Sequence, residues 1–128
     1  MSTNNNITYK LNDTIIIKLP YQTFSDFVSD HFRKATNSFI QKNLNKVIIL
    51  DFENVSTVLS SGIVEIIIFW NKCTSRGIKL IVCNIDEATL SVIKSKSLDS
   101  LIEVTETFRE AIGKADLYTQ KLNANLNN

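Results

Sequence analysis

The fold of this 128-residue chain is decided by the segment Lys46-Val-Ile-Ile-Leu-Asp51, which is followed after a short polar stretch by Leu59-Ser-Ser-Gly-Ile63. Residues 47–50 are apolar without interruption, which is typical of a strand that other elements cover on both faces. We therefore expect residues 47–51 to lie in the middle of a sheet. Beyond the serines, apolar residues return at helical spacing and predict a second helix: Ile63, Ile66, Ile67 and Trp70.

Upstream of this segment, the sequence predicts a hairpin and a first helix. Residues 7–10 and 14–19 favour strands, the polar residues 11–13 favour a turn, and Pro20 ends the second strand. A three-to-four spacing predicts a helix that Asn43–Asn45 would close, with this apolar face: Phe24, Val28, Phe32, Ala35 and Phe39.

Downstream, strands and helices alternate. Arg76-Gly77 predicts the end of the second helix, and residues 78–83 and 101–104 predict two short strands. Asp86 is expected to cap a helix over residues 87–96 whose core-facing residues are Ile85, Ala88 and Val92. Thr107 and Glu110 match a capping box for the last helix, with this apolar stripe: Phe108, Ala111, Ile112 and Ala115.

The predicted order is β-β-α-β-α-β-α-β-α. Alternation in the second half requires crossovers between parallel neighbours, whereas the opening hairpin is antiparallel. We therefore expect a single α/β domain over residues 7–122, with a mixed, mostly parallel sheet of four to five strands and four helices. The asparagine-rich ends, residues 1–6 and 123–128, lack apolar periodicity and are expected to be disordered.

Composition narrows the function classes. The net charge is +1, from 14 basic and 13 acidic residues, so nucleic acid is not an expected partner. The longest apolar stretch is too short to insert into a membrane. Cys73 and Cys83 lack metal-ligand spacing and His31 is the only histidine, so we expect no metal, no cofactor and no catalytic residues. Free thiols and the polar N-terminus indicate a reducing, cytoplasmic setting.

Ser60 and Ser61 are the candidate functional residues of this sequence. Both lie at the start of the second helix, where free backbone N–H groups and the helix dipole stabilise an anion such as a phosphate. A phosphate would add about −1.5 to −2 charges there at pH 7. The simpler interpretation is that the serine only caps the helix, since serine is a common N-cap residue.

Three segments together resemble the STAS domain of bacterial anti-sigma factor antagonists. They are Lys46-Val-Ile-Ile-Leu-Asp51 with Leu59-Ser-Ser-Gly-Ile63, then Arg76-Gly-Ile-Lys-Leu-Ile-Val82, and Ser97-Leu-Asp-Ser-Leu-Ile102. In that family a strand of the type V-x-L-D-L leads to D-S-S-G, and the second helix ends in R-G-G-x-L. The resemblance covers residues 7–115 and implies the same α/β fold.

The resemblance also implies a function without catalysis. Members of the family bind an anti-sigma factor that is often also a serine kinase of the ATPase type, and phosphorylation releases that partner. By motif position the phosphorylated residue is Ser60, Ser61 is a cap, and Gly62 permits close backbone approach. The resemblance places the partner-binding surface at these residues: Leu59, Ser60, Ser61, Gly62, Val64 and Glu65.

The sequence departs from the family at Leu59, which stands where the motif has Asp. This departure favours an alternative function, a constitutive STAS scaffold subunit of a stressosome-like or ABC lipid-transport complex, because an apolar side chain suits a persistent contact. Homodimer formation stays open. We expect Glu65 and His31 to be exposed and Trp70 to pack in the core. Two interpretations of Asp51 stay open: a functional acid, since α/β proteins often place function at the carboxyl end of a strand, or a partly buried acid that bonds neighbouring backbone N–H groups.

Overall fold

The computed structural model describes residues 8–42 and 46–126. Within these ranges the strands are β1 (Thr8–Leu11), β2 (Thr14–Lys18), β3 (Thr23–Phe24), β4 (Val47–Asp51), β5 (Thr57–Val58), β6 (Lys79–Cys83) and β7 (Glu103–Thr105). The α-helices are α1 (Ser29–Lys42), α2 (Ser60–Thr74), α3 (Glu87–Ser95) and α4 (Phe108–Leu126). Two 3₁₀ helices, Asp26–Val28 and Leu98–Ser100, precede α1 and β7.

The main sheet has five strands in the order β1-β2-β4-β6-β7. The β1–β2 hairpin is antiparallel, and every other pairing in the sheet is parallel. Strand β4 lies at the centre and is buried along its whole length, as the apolar run predicted. The predicted single α/β domain, with its mostly parallel sheet and four α-helices, is confirmed.

Alternate residues of the central strands face two separate apolar layers, because side chains on a strand point to opposite faces in turn. Ile48 and Leu50 face the layer that α1 and α2 cover, where Phe32 and Phe69 are fully buried. Ile49 faces the layer that α4 covers with Ala111 and Ala115. This second face confirms the apolar stripe predicted for the last helix.

Local signals at helix ends are confirmed. The side chain of Asp86 accepts a hydrogen bond from Thr89 N at 3.0 Å and caps α3. Thr107 Oγ1 accepts from Glu110 N, and Glu110 Oε1 accepts from Thr107 N, each at 3.1 Å, which is the predicted capping box. Gly77 follows α2 with a φ of 71°, a left-handed conformation that glycine adopts without strain.

The predicted start of the first helix is wrong. Phe24 belongs to β3, which pairs with β5 in a separate two-stranded sheet, and α1 begins only at Ser29. The buried face of α1 consists of Phe32, Thr36 and Ile40. Because β3 pairs with a segment more than thirty residues away, no local pattern could reveal it. The predicted closing residues, 43–45, lie outside the described residues.

Two further predictions differ from the structure. In α3 the buried residues are Thr89 and Ile93, whereas Ala88 is exposed. The buried face of the helix is therefore displaced by one residue from the predicted face. Leu101 is exposed because Leu101 N and Ile102 N both bond Leu98 O, which continues the 3₁₀ turn and delays β7 until Glu103.

The last helix is longer than the sequence predicted. Helix α4 continues to Leu126, past residue 122, where the sequence predicted the ordered domain to end. Residues 1–7, including the predicted disordered segment 1–6, lie outside the described residues. No helix within residues 8–42 and 46–126 combines the length and the apolar character needed to cross a bilayer.

Gly62 allows α2 to approach β3 closely. Leu59 N donates to Phe24 O at 3.0 Å, and a Cβ atom on Gly62 would collide with that same carbonyl oxygen and lie 2.9 Å from Phe24 C. The obstacle is backbone held in the β3–β5 pair, so a side chain cannot rotate to relieve it. The predicted role of Gly62 in close backbone approach is confirmed.

Replacing Gly62 with Ala should therefore destabilise the protein despite the better helix propensity of Ala. We expect Gly62→Ala to lower the free energy of unfolding by about 1–3 kcal/mol, because the overpacked contact involves backbone. Gly113→Ala in α4 is the matched control, since nothing lies within 4 Å of its Cβ position. It should raise the free energy of unfolding by up to about 1 kcal/mol. Urea denaturation measures both, and equal effects would contradict the close approach.

The two cysteines should be unreactive in the folded protein. Both are free and buried, and burial raises the pKa of each thiol from 9.0 to about 12, with the nearby Asp51 adding to the effect at Cys83. At about pH 8 we expect Ellman's reagent to label Cys73 and Cys83 only at the rate of unfolding. Since the folded pKa values exceed the unfolded ones, stability should fall as pH rises from 9 towards 12. Rapid labelling of the native protein would contradict this.

Candidate functional site

Ser60 is the first residue of α2 and is exposed. None of the described residues forms a hydrogen bond with its hydroxyl group. The N-cap position before it is held by Leu59, whose extended backbone (φ −82°, ψ 168°) suits a cap but whose side chain makes no capping hydrogen bond. The N–H groups of the first turn are thus left without a side-chain cap, and the hydroxyl of Ser60 is free to react or to bind.

Ser61 does not cap α2, so that prediction is wrong. Its hydroxyl oxygen accepts a hydrogen bond from Asp26 N at 2.9 Å and donates one to Asp26 Oδ1 at 3.1 Å. Asp26 opens the 3₁₀ helix that precedes α1. Ser61 therefore joins that 3₁₀ helix to the first turn of α2. The two serines differ in environment: the hydroxyl of Ser61 is hydrogen-bonded to Asp26, whereas that of Ser60 bonds none of the described residues.

Exposed apolar side chains lie on the segments that meet at the first turn of α2. Leu59 is 46% exposed, Val64 is 54% exposed, and Phe27, next to Asp26, is 94% exposed. The Phe27 backbone is fixed, because its N–H donates to Ser25 Oγ at 3.2 Å. We call these three residues together with Ser60 the Ser60 surface. A nearly fully exposed phenylalanine on a fixed backbone is typical of a protein contact site.

Sequence reasoning missed Phe27. It lies between residues that the helical pattern assigned to the core, and nothing in its neighbours marked it as exposed. The one signal was that Phe27 falls off the predicted apolar face of the first helix, which is defined by Phe24, Val28 and Phe32.

Glu65 is buried, contrary to the prediction that it is exposed. Only 2% of its side chain is accessible, and its carboxylate accepts two hydrogen bonds from Arg33, at 3.1 Å from Nε and 2.9 Å from Nη2. These hydrogen bonds raise the pKa of Arg33. The pair bridges α1 and α2, so the Glu65 carboxylate holds the helices together instead of facing a partner.

Asp51 has the predicted structural role. It is 4% exposed at the carboxyl end of β4, where Oδ1 accepts from Glu53 N at 3.0 Å and from Asn84 Nδ2 at 2.8 Å. Trp70, predicted to lie in the core, is half-buried and packs against the larger apolar layer. Both residues stabilise the fold and lie outside the Ser60 surface.

His31 is exposed, as predicted, and has a partner. Its Nδ1 lies 2.7 Å from the hydroxyl group of Tyr21, and the two rings meet edge to face. Burial raises the pKa of Tyr21 to about 12, so the phenol of this pair keeps its proton. The pair fixes the loop after β2 against α1.

Metal binding finds no support in the described part of the chain, where no three His, Cys, Asp or Glu side chains are grouped closely enough to hold an ion. The chemistry that the site offers is therefore that of an exposed hydroxyl at a helix N-terminus, framed by apolar side chains.

Solved structures share this fold. A candidate anti-sigma factor antagonist from Thermotoga maritima is 21% identical, with a TM-score of 0.75 over 85% of this chain and 92% of that one. A sulfate transporter family protein from Wolinella succinogenes is 17% identical, with a TM-score of 0.73 over 86% and 90%. The Bacillus cell fate determinant SpoIIAA in its phosphorylated form is 20% identical, with a TM-score of 0.64 over 84% and 96%. At such identities the likeness establishes the fold alone.

Membership of a family rests on the sequence itself. The family model described as "STAS domain" matches residues 6–111, which include the whole sheet, the first three α-helices and the Ser60 surface. Together with the observed topology, this match shows that the chain belongs to the STAS domain family.

Proposed function

We propose that this STAS domain is a non-enzymatic regulatory binding module that acts as an anti-sigma factor antagonist. In this proposal its partner is an anti-sigma factor that is also a serine kinase of the ATPase type, and the Ser60 surface is the contact. The observation that carries the proposal is the exposed hydroxyl of Ser60 at the start of α2, which bonds no described residue, together with the exposed side chains of Leu59, Val64 and Phe27 on the segments that meet there.

The surroundings of Ser60 suit phosphorylation. A kinase can reach an exposed hydroxyl, and the resulting phosphate would lie at the N-terminus of α2, where the dipole and unpaired N–H groups stabilise negative charge. Placing about two negative charges among apolar side chains would also penalise a contact that excludes water. One relative with this fold was solved in a phosphorylated form, which supports the proposal by analogy.

The absence of catalysis is part of the proposal. A nucleophilic serine needs a base within hydrogen-bond reach, and no described residue bonds the Ser60 hydroxyl. The carboxylate of Asp26 accepts a hydrogen bond at this end of α2, but from the hydroxyl of Ser61. The cytoplasmic setting suggested by the sequence stays a prediction, consistent with two free buried thiols.

A second candidate function rests on Leu59. An apolar side chain that is 46% exposed at the motif's acidic position favours a persistent contact, as in a constitutive STAS scaffold subunit of a stressosome-like or ABC lipid-transport complex. In that case the Ser60 surface would stay buried against its partner without a phosphorylation cycle.

The phosphorylation proposal predicts a single modified residue. When the protein is incubated with an anti-sigma factor kinase and ATP, we expect one phosphoryl group on Ser60, located by peptide mapping. Ser60→Ala should abolish modification and leave partner binding intact. Ser56→Ala, which removes another exposed hydroxyl just before β5, is the matched control and should change neither. Modification elsewhere, or none with a kinase that binds the protein, would refute the switch.

Leu59 distinguishes the two candidate functions. Leu59→Asp restores the acidic motif residue, and its carboxylate can cap the free N–H groups of α2, so the free energy of unfolding should rise by about 1 kcal/mol. Leu59→Asn caps equally well without the charge. A switched module should keep its partner with both variants and be phosphorylated faster with Asp. A constitutive scaffold should lose its partner with both, which pull-down with purified partner measures.

A further inference from the structure

A second surface lies around the edge strand β7. Within the described residues β7 pairs only with β6, so the backbone groups on its outer side have no strand to bond. One groove of about 480 Å³ separates β7 from α3, and another of about 480 Å³ separates β7 from α4. The two grooves share Val104, Thr105 and Glu106, and together form a trough along the strand edge.

Gly113 in α4 is otherwise unexplained. A glycine inside a helix costs up to about 1 kcal/mol relative to alanine, and nothing in the molecule lies within 4 Å of its Cβ position. The space that it leaves is part of the second groove, next to Leu117, which is 59% exposed. The missing side chain thus deepens the trough on the side of α4.

The trough is apolar at its base and acidic at its rim. Ile85, Leu90 and Val104 line the first groove, together with four carboxylates and one lysine. Of these carboxylates, Glu103 is paired with Lys79 and Lys114. The remaining three have no ion pair with any described residue: Glu87, Asp99 and Glu106. The acids are too dispersed to hold a metal ion, and they complement separate cationic side chains.

We propose that the β7 edge binds an extended segment of a partner protein in which lysine or arginine alternates with apolar residues. The segment lies alongside β7 as an added strand, so its alternate side chains face opposite sides of the sheet: the apolar ones enter the groove beside α4, and the cations meet the acidic rim of the groove beside α3. Because β7 has only three residues, the ladder is short and the grooves and charges supply most of the affinity. This surface shares no residue with the Ser60 surface and does not depend on the proposed function.

Other occupants fit less well. A second copy pairing through its own β7 would bring an identical acidic rim to the same place, where like charges repel. Residues 1–7 and 127–128 of this chain contain no lysine or arginine. A cationic strand from another protein therefore matches the charge, and the other occupants become outcomes of the test.

The test titrates the isotope-labelled protein with the heptapeptide Lys-Val-Lys-Val-Lys-Val-Lys and follows backbone amide shifts by NMR. We expect shifts centred on residues 103–106 and on Gly113, Lys114 and Leu117, and a dissociation constant between roughly 10 μM and 1 mM. Peptides with glutamate for lysine, or with serine for valine, should bind at least tenfold more weakly, roughly the effect of losing one of the two complementary features. Equal binding of all three, no binding, or shifts centred on Ser60 would overturn the proposal.

Two variants with matched controls locate the contact. Gly113→Leu fills the groove with a good helix former and should weaken peptide binding roughly tenfold or more, whereas Gln120→Leu, also exposed on α4, should not. Glu106→Gln should weaken binding several-fold and Asp116→Asn should not. Thermal unfolding checks that all four fold. If Gly113→Leu binds normally, or if sedimentation shows that β7 instead mediates self-association, the proposal fails.

Discussion

The burial of β4 is the constraint on which the rest of the structure depends. A strand with β2 on one edge, β6 on the other and an apolar layer on each face has no side open to water. A one-residue slip in its pairing would exchange the residues that face α4 with those that face α1 and α2, so its register is strongly specified. The register of β4 also sets its pairing with both neighbours: Ile16 of β2 lies opposite Ile49, and Ile49 lies opposite Ile81 of β6.

The fixed position of β4 also constrains the candidate site, because the chain leaves the carboxyl end of β4 on its way to Ser60. Leu19 N donates to Asp51 O and Phe52 N donates to Cys83 O, so pairing on both edges continues to the last residue of the strand and beyond. Asp51 then bonds the backbone of Glu53 and turns the chain away from the sheet. The path to Ser60 therefore starts from a fixed point, and the first turn of α2 can be placed against β3 with little freedom.

The parts of the fold that the sequence predicted are those with a local cause. An apolar run of four residues, an Asp or Thr before a helix, and a glycine after one each act within a few residues of where they stand, which is why β4, both caps and the end of α2 were predicted correctly. The phase of α3 was missed because its apolar residues do not mark a single face, and the burial of a polar residue such as Thr89 depends on what packs against it.

The candidate site was predicted only in part, because its distinctive contacts join distant segments. The motif predicted that Ser60 and Gly62 lie at the start of α2, where the structure has them. It could not show that Ser61 bonds Asp26, that Glu65 bonds Arg33, or that Phe27 is exposed, since each depends on how the segment before α1 packs on α2. A charged residue inside an amphipathic helix is ordinarily solvated, and only the presence of Arg33 opposite makes the burial of Glu65 tolerable.

The same distant contacts hold the backbone that carries the exposed Phe27. The Arg33–Glu65 pair fixes α1 against α2, and the Asp26–Ser61 pair fixes the start of the 3₁₀ helix against the first turn of α2. Phe27 lies between these two attachments along the chain, so its backbone position is set before any partner arrives. A contact made from an ordered backbone loses less conformational entropy on binding and retains more of its binding free energy.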